Sequence, residues 1–455
     1  VNGNLRRENG LAEVDEYTRR TRRSARLFAR ARELIPGGVC HSIRYFPPYP
    51  FYAKRAKGSR IWDVDGNEYV DFWMGHGALI LGHTPQRVLE AIRDQVMLGC
   101  QWGIVNELEV ELAELVTKLV PCAEMVRFCN TGAEATMYAC RLARGFTGRT
   151  KVAKIEGGWH GYNSDLLAFV HDPLEVSESL GLQDEARSAI VSLPFNDVEG
   201  SLTRVRENAG DLAAIIVEPV LGSGGFIPAD VDYLRALREA ADEAGCLLIF
   251  DEVITGFRLS PGGGQEYFGV APDLATLGKI LGGGMPIGAV VGREEVMRIS
   301  DSTKLPKGKA VSIGGGTFSC NPISMRAGLE TLRYLSSHTG LYRRVGDLGK
   351  RARRYIEANL SVDKRYVSCT GIESLFRTHF TFEEDVSLRS ARDVFEKTDK
   401  DLHNWFKIAM ANRGIFFVAG EGRTSTAHTA ADLKLLKEAC QDASSGQDPG
   451  SGWLG

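Results

Sequence analysis

Ile249-Phe250-Asp251-Glu252-Val253-Ile254-Thr255-Gly256-Phe257-Arg258 and Pro272-Asp273-Leu274-Ala275-Thr276-Leu277-Gly278-Lys279-Ile280-Leu281-Gly282-Gly283-Gly284 decide the fold. Each holds a short apolar run that stops at a turn. Asp251 marks the first stop, and Lys279 marks the second, 28 positions on (279 − 251 = 28). Short apolar runs bounded by turn residues read as buried strands. From Met125 onward, further runs of this kind at 126–129, 152–155, 213–217, 246–250 and 289–292 alternate with amphipathic helical stretches. That alternation predicts an α/β fold, a mainly parallel sheet covered by helices on both faces, with ligands at the carboxyl ends of the strands. Asp251 and Lys279 both lie at such ends.

Working outward, residues 61–72 set Asp65-Gly66 between two β-rich runs, the pattern of a hairpin. Helical patterns follow at about 85–98 and 107–119, and a long one runs from Asn321-Pro322 to about 335. The chain thus divides into an N-terminal helix and hairpin (1–70) that belongs to a small domain, and a large ligand-binding domain (71–325). A smaller C-terminal α+β part (326–440) comes next, then a Ser-, Gly- and Asp-rich tail (441–455) expected to be disordered.

At 455 residues the chain is too long for one ordinary core. Its 55 basic and 58 acidic residues leave a formal charge of −3, which gives no footprint for nucleic acid or for an anionic membrane. No apolar stretch approaches the ~20 residues that span a bilayer, so no membrane partner is expected. The nine cysteines are scattered, odd in number and without CxxC spacing. They point to a reducing, cytoplasmic setting and away from disulfides or a metal site. The basic run at 18–26 follows Glu13, Asp15 and Glu16 and precedes Leu27, Phe28, Ala31 and Leu34 at helical spacing. It reads as the solvated face of a helix ending at Pro36-Gly37-Gly38 rather than as a transit peptide or nucleic-acid arm.

An amine that condenses with an aldehyde and a carboxylate that keeps a pyridine nitrogen protonated are what pyridoxal 5′-phosphate requires of a protein, and Lys279 and Asp251 supply the pair. Asp251 also has a structural reading, as a cap on the turn after it. Asn130-Thr131-Gly132-Ala133-Glu134 passes from strand to helix, offering exposed amides and a positive dipole end to a phosphate, and it also reads as a capping box. Trp159, between glycines in Glu156-Gly157-Gly158-Trp159-His160-Gly161, suits stacking on a flat ring, while His160 reads as a hydrogen-bonding scaffold. Gly314-Gly315-Gly316-Thr317 approaches the helix that starts at Pro322 and offers a further phosphate contact through Thr317.

In this order the elements resemble the class III pyridoxal-phosphate aminotransferases of fold type I, and within them the glutamate-1-semialdehyde 2,1-aminomutase branch. The likeness runs from about 32 to 428 and is carried by residues 251–258, 278–288 and 141–149. The resemblance implies that Lys279 holds the cofactor covalently and then carries the proton to and from the substrate carbon, with Asp251 on the pyridine nitrogen. It implies phosphate contacts from Thr131, Gly132 and Ala133, ring contacts from Trp159 and Val253 on opposite faces, and places for His160 and Glu218 among the cofactor neighbours. It further implies a homodimer in which Thr317 reaches the neighbouring subunit's phosphate, Arg44 beside the substrate carboxylate, and Glu421 as counterpart of a gating glutamate.

The sequence departs from that branch where Trp159 replaces a tyrosine, where residues 172–185 replace a Gly/Ser-rich lid, and where the segment at 418–425 is shorter. An aminomutase must retain an intermediate while the amine moves within one molecule, so a changed lid matters to it. The sequence-based expectation is therefore a ping-pong aminotransferase between small-molecule amine and keto substrates. Its donor is a carboxylate-bearing β-, ω- or α-amino acid, its acceptor a keto acid or aldehyde. The aminomutase, giving 5-aminolevulinate, is the alternative. A racemase or epimerase and a cofactor-binding regulatory module trail behind. A dinucleotide oxidoreductase is disfavoured because no G-x-G-x-x-G follows a strand.

Overall fold

The computed structural model describes residues 12–362 and 364–445. At its centre lie β1 (Met125–Cys129), β2 (Lys151–Ile155), β3 (Ile190–Leu193), β4 (Leu212–Val217), β5 (Leu247–Asp251), β6 (Leu274–Gly278) and β7 (Gly288–Gly292). They pair in the order β1-β7-β6-β5-β4-β2-β3, with β7 antiparallel to both its neighbours. Side chains alternate across the sheet. In β5, Leu248 and Phe250 enter one core while Leu247 and Ile249 enter the other. Each such side chain, wholly removed from water, contributes roughly 1.5–3 kcal/mol, which is why a strand covered on both faces is apolar throughout.

The same period-of-two rule places Asp251 on the face of Leu247 and Ile249, where the helix Gly132–Thr147 packs through Ala135, Ala139 and Leu142. Thr276 and Lys154 fall on that face too, two residues after Leu274 and Val152. The chemistry-bearing strand ends therefore converge near one helix N-terminus.

The hairpin strands Arg60–Asp63 and Glu68–Asp71 pair antiparallel, and Ile415–Phe416 joins Glu68–Asp71 in parallel, so chain segments far apart in sequence share one sheet. A second small sheet combines Tyr366–Ile372, Leu375–Thr381 and Glu421–Arg423. Phe72, Phe376, Phe380, Phe406 and Phe417 pack between them. Arg258, 1% exposed, ties this part to the large sheet: its guanidinium donates to Gly77 O and to Ser374 Oγ.

Two expectations need correction. The N-terminal helical pattern is broken at Thr21, whose φ of −121° and ψ of 38° separate residues 12–20 from the helix Arg22–Leu34; its hydroxyl donates to Tyr17 O (2.6 Å). Residues 441–445, expected to belong to the tail, are helical, because the helix Ala430–Ser445 continues through them. Ala443 packs in the small core, Ser361 N donates to Ser444 Oγ (2.7 Å), and Gln441 Nε2 donates to Asn359 Oδ1 (2.9 Å). These contacts outweigh a polar composition; residues 446–455 lie outside the described residues. Among the described residues no helix is long and apolar enough to cross a membrane.

Candidate active site

Lys279 opens a 3-10 turn directly after β6, with a φ of 46° that L residues rarely adopt, at a cost of about 1–3 kcal/mol. It lines a cleft of about 570 Å³ together with Trp73, Trp159, Ile254, Glu421 and Arg423. Burial, reinforced by the Arg423 charge, outweighs the pull of Asp251, Glu218 and Glu421 and brings its amine down to about 8. A lysine so placed is a usable nucleophile near neutrality.

Asp251, 4% exposed, is held on three sides. Oδ1 accepts from Thr276 Oγ1 (3.0 Å) and Val253 N (3.1 Å), and His160 Nδ1 lies 2.7 Å from Oδ2. Burial pulls the imidazole below its ordinary pKa despite the carboxylate. A neutral ring donating from Nδ1 leaves Nε2 an acceptor, buried and without a partner among the described residues. His160 thus braces Asp251 from inside the fold. Glu218, also buried, accepts from Trp159 N (2.9 Å) and Gly222 N (3.2 Å); burial first and Asp251 second push it up to about 8.

At the start of the helix Gly132–Thr147 the capping box forms: Thr131 Oγ1 accepts from Glu134 N (3.1 Å), and Glu134 Oε2 accepts from Asn130 N (2.7 Å) and Thr131 N (3.0 Å). The amides of Gly132 and Ala133 have no partner among the described residues, which suits them to an anion. A Cβ on Gly132 would sit 2.9 Å from both methyl carbons of Val253, so the glycine is required for the close approach of this turn to the end of β5. Trp159 is half-buried, edge-on to Tyr162 (4.7 Å between centroids).

Thr317 is exposed and lines a separate cavity of about 870 Å³ beside Trp102, Val105 and Phe128, outside the Lys279 cleft of the same chain. Arg44 is exposed and lines a neighbouring cavity, divided from the cleft by Ile43, Trp73 and His76; the 3-10 turn Ser42–Arg44 carries Ile43 into the wall and leaves the arginine outside. Glu421 does line the cleft, but as the partner of Arg423, Oε2 to Nη2 at 2.8 Å.

Arg423 is the residue the sequence reading missed. It is 3% exposed, with its guanidinium 4.3 Å from the Trp73 centroid and 4.8 Å from that of Phe226. Its Nε and Nη1 have no hydrogen-bond partner among the described residues. Arg377, 4.0 Å from Glu421 Oε1, adds a second cation. Glu421-Gly422-Arg423 in a short strand puts both charges on one face, and that alternation was the available signal.

The class III aminotransferase family is matched over residues 44–369, and the chain belongs to it. A curated relative, the glutamate-1-semialdehyde 2,1-aminomutase of Methanosphaera stadtmanae, is 41% identical over 425 residues, 92% of this chain and 98% of that protein. Among solved structures, an omega-transaminase from Sphaerobacter thermophilus is 35% identical with a TM-score of 0.86, covering 93% of this chain and 97% of its own. A transaminase with pyridoxal phosphate bound is 34% identical with a TM-score of 0.82 and the same coverage. The fold is that of the fold type I enzymes, and the cofactor is pyridoxal 5′-phosphate. The residues fit it: an amine for its aldehyde, a buried carboxylate for its nitrogen, and free amides for its phosphate.

If Lys279 is the attachment point, uptake of pyridoxal 5′-phosphate by the apoprotein follows its deprotonation. The rate rises about tenfold per pH unit below about 8, where the ammonium must first lose its proton, and levels off above. Stopped-flow absorbance measures it; a flat profile contradicts the assignment.

Proposed function

We propose that this enzyme is a glutamate-1-semialdehyde 2,1-aminomutase, moving an amino group within one carboxylate-bearing substrate. The extent of identity to a curated enzyme of that name carries this reading and favours it over the intermolecular aminotransferase expected from the altered lid. The cleft is compatible with it. Lys279 lies in it with a buried arginine that has unused donors, the combination that a small substrate with a carboxylate and a reactive amine requires.

Bound pyridoxal 5′-phosphate supplies an electrophilic carbon and a ring that accepts electrons. Asp251, fixed by Thr276, Val253 and His160, holds a proton on the ring nitrogen. The Gly132 and Ala133 amides take the phosphate, and Trp159 and Val253 cover the ring faces. Lys279 Nζ would carry the proton to and from the substrate carbon. Arg423, whose Nε and Nη1 donors are unused among the described residues, binds the substrate carboxylate, and Glu421 holds the guanidinium through Nη2.

Arg423→Met removes a charge-assisted contact, and kcat/KM for the carboxylate substrate falls about 10- to 100-fold, chiefly through KM. Steady-state kinetics checks this; an unchanged KM removes Arg423 from the substrate site.

A second reading, the intermolecular aminotransferase, is favoured by residues 172–185. Instead of a loose lid this segment is tied down by Lys400 to Asp172 (2.9 Å) and by Glu178 to Val170 N (2.7 Å). Incubating holoenzyme with glutamate 1-semialdehyde and no other amine or keto acid separates the two. Production of 5-aminolevulinate supports the aminomutase. No product, with amino transfer from a β-amino acid to a keto acid, supports the second reading.

We also propose a homodimer. Ile104 and Val105, 72% and 78% exposed, line the cavity that holds Thr317, and Phe318 next to Thr317 is 64% exposed, an apolar surface suited to a second copy. Sedimentation should give twice the chain mass, and Val105→Glu should shift the species to monomer with loss of activity. A monomeric, active wild type overturns the proposal.

A further inference from the structure

Lys154 has no place in the chemistry above, yet it is a lysine with no exposure at all, inside the central sheet. Its Nζ donates to Gly158 O (2.8 Å) and Ala168 O (2.6 Å). Gly158 immediately precedes Trp159. Ala168 leads to Val170 and His171, whose amides donate to Glu178 Oε1 at 2.7 and 2.9 Å. His171 Nδ1 lies 2.8 Å from Glu178 Oε2, and the imidazole sits 6.2 Å from the Trp159 ring at 54°. The contacts close a circuit: from Lys154 to the backbone beneath the indole, out along the chain to Glu178, and back through His171 to the indole's exposed side.

We propose that Lys154 and Glu178 are positioning residues that hold Trp159 against the cofactor ring from two directions, joining the ring-stacking turn to the segment at the cleft mouth. A burial-driven fall of the Lys154 amine to about 7 does not disturb the arrangement, since a neutral amine keeps the two N–H donors the carbonyls need. An apolar residue at 154 would leave both carbonyls buried and unpaired and free the turn to shift. Leucine at 178 would release the amides of residues 170 and 171 and the imidazole that meets the indole.

The inference rests on the reading that Trp159 covers the ring, so three holoenzyme variants are compared. Lys154→Met, Glu178→Leu and Trp159→Leu are measured by the dissociation constant for pyridoxal 5′-phosphate and by the circular dichroism that the protein induces in the bound cofactor. Lys154→Met is expected to weaken cofactor binding about tenfold, the equivalent of one to two lost hydrogen bonds, and to reduce the induced signal. Glu178→Leu should act in the same direction, and the double variant should fall short of the sum because both act on one indole. Tyr233→Phe, which loses hydroxyl contacts to Pro194 and Ser201 outside the cleft, should lower thermal stability without moving either cofactor readout.

If Lys154→Met lowers the melting temperature but leaves affinity and dichroism intact, the positioning role is overturned. Should that variant not fold, Glu178→Leu decides alone, and an unchanged dichroism overturns the proposal. If Trp159→Leu itself leaves cofactor affinity unchanged, the ring assignment fails, whatever the other two do.

Discussion

Lys279→Ala is expected to reduce turnover by about 10³-fold or more and to abolish the visible absorbance of covalently bound cofactor. Loss of a positioned general acid–base group alone costs about 10²–10⁴-fold, and here the covalent attachment goes with it. The fold should survive, because Lys279 makes no side-chain hydrogen bond among the described residues; Gly278 and the turn Lys279–Gly282 are fixed by β7 and by Ile287 packing against Gly282. Lys279→Arg should not rescue. A guanidinium stays protonated at any accessible pH and can neither attack an aldehyde nor accept the substrate proton. Retained activity in either variant removes Lys279 from the chemistry.

The second large effect is expected at Asp251. Asp251→Asn keeps an oxygen for Thr276 Oγ1 and Val253 N but removes the buried negative charge at the end of β5. Taking away one preorganised electrostatic group typically costs about 10²–10³-fold, and kcat should fall by that amount with the cofactor still attached. His160 should report the change as well, since its Nδ1 loses a charged acceptor at 2.7 Å. Single-turnover absorbance measures the proton-transfer step; a kcat within a fewfold of wild type would mean that Asp251 only braces the turn.

Lys279 and Asp251 were legible in the sequence because each follows or ends a buried, mostly apolar strand, and a parallel sheet gathers its strand ends on one side. The capping box at Thr131 and Glu134 was legible for a similar reason: its four-residue pattern is local, and its hydrogen bonds form within the same turn. Arg423 was not. Its alternation with Glu421 alone does not mark it, because the rings it packs on, Trp73 and Phe226, come from distant chain segments that no local period connects to it. Arg44 shows the converse. Its motif matches, yet the 3-10 turn at Ser42–Arg44 turns Ile43 toward the cleft and leaves the arginine on the far side of the wall. Composition misread residues 441–445, since Ser444 is held by contacts to residues more than eighty positions earlier and Ala443 packs in the small core.

Lys154 and Lys279 are both buried with lowered pKa values, about 7 and about 8, and of the two only Lys279 opens into the cleft. Borohydride reduction of the holoenzyme followed by peptide mass mapping tests the central claim most directly. The account predicts a reduced phosphopyridoxyl group on the peptide carrying Lys279 and on no other. A group on the peptide carrying Lys154, or no fixed cofactor at all, would contradict it.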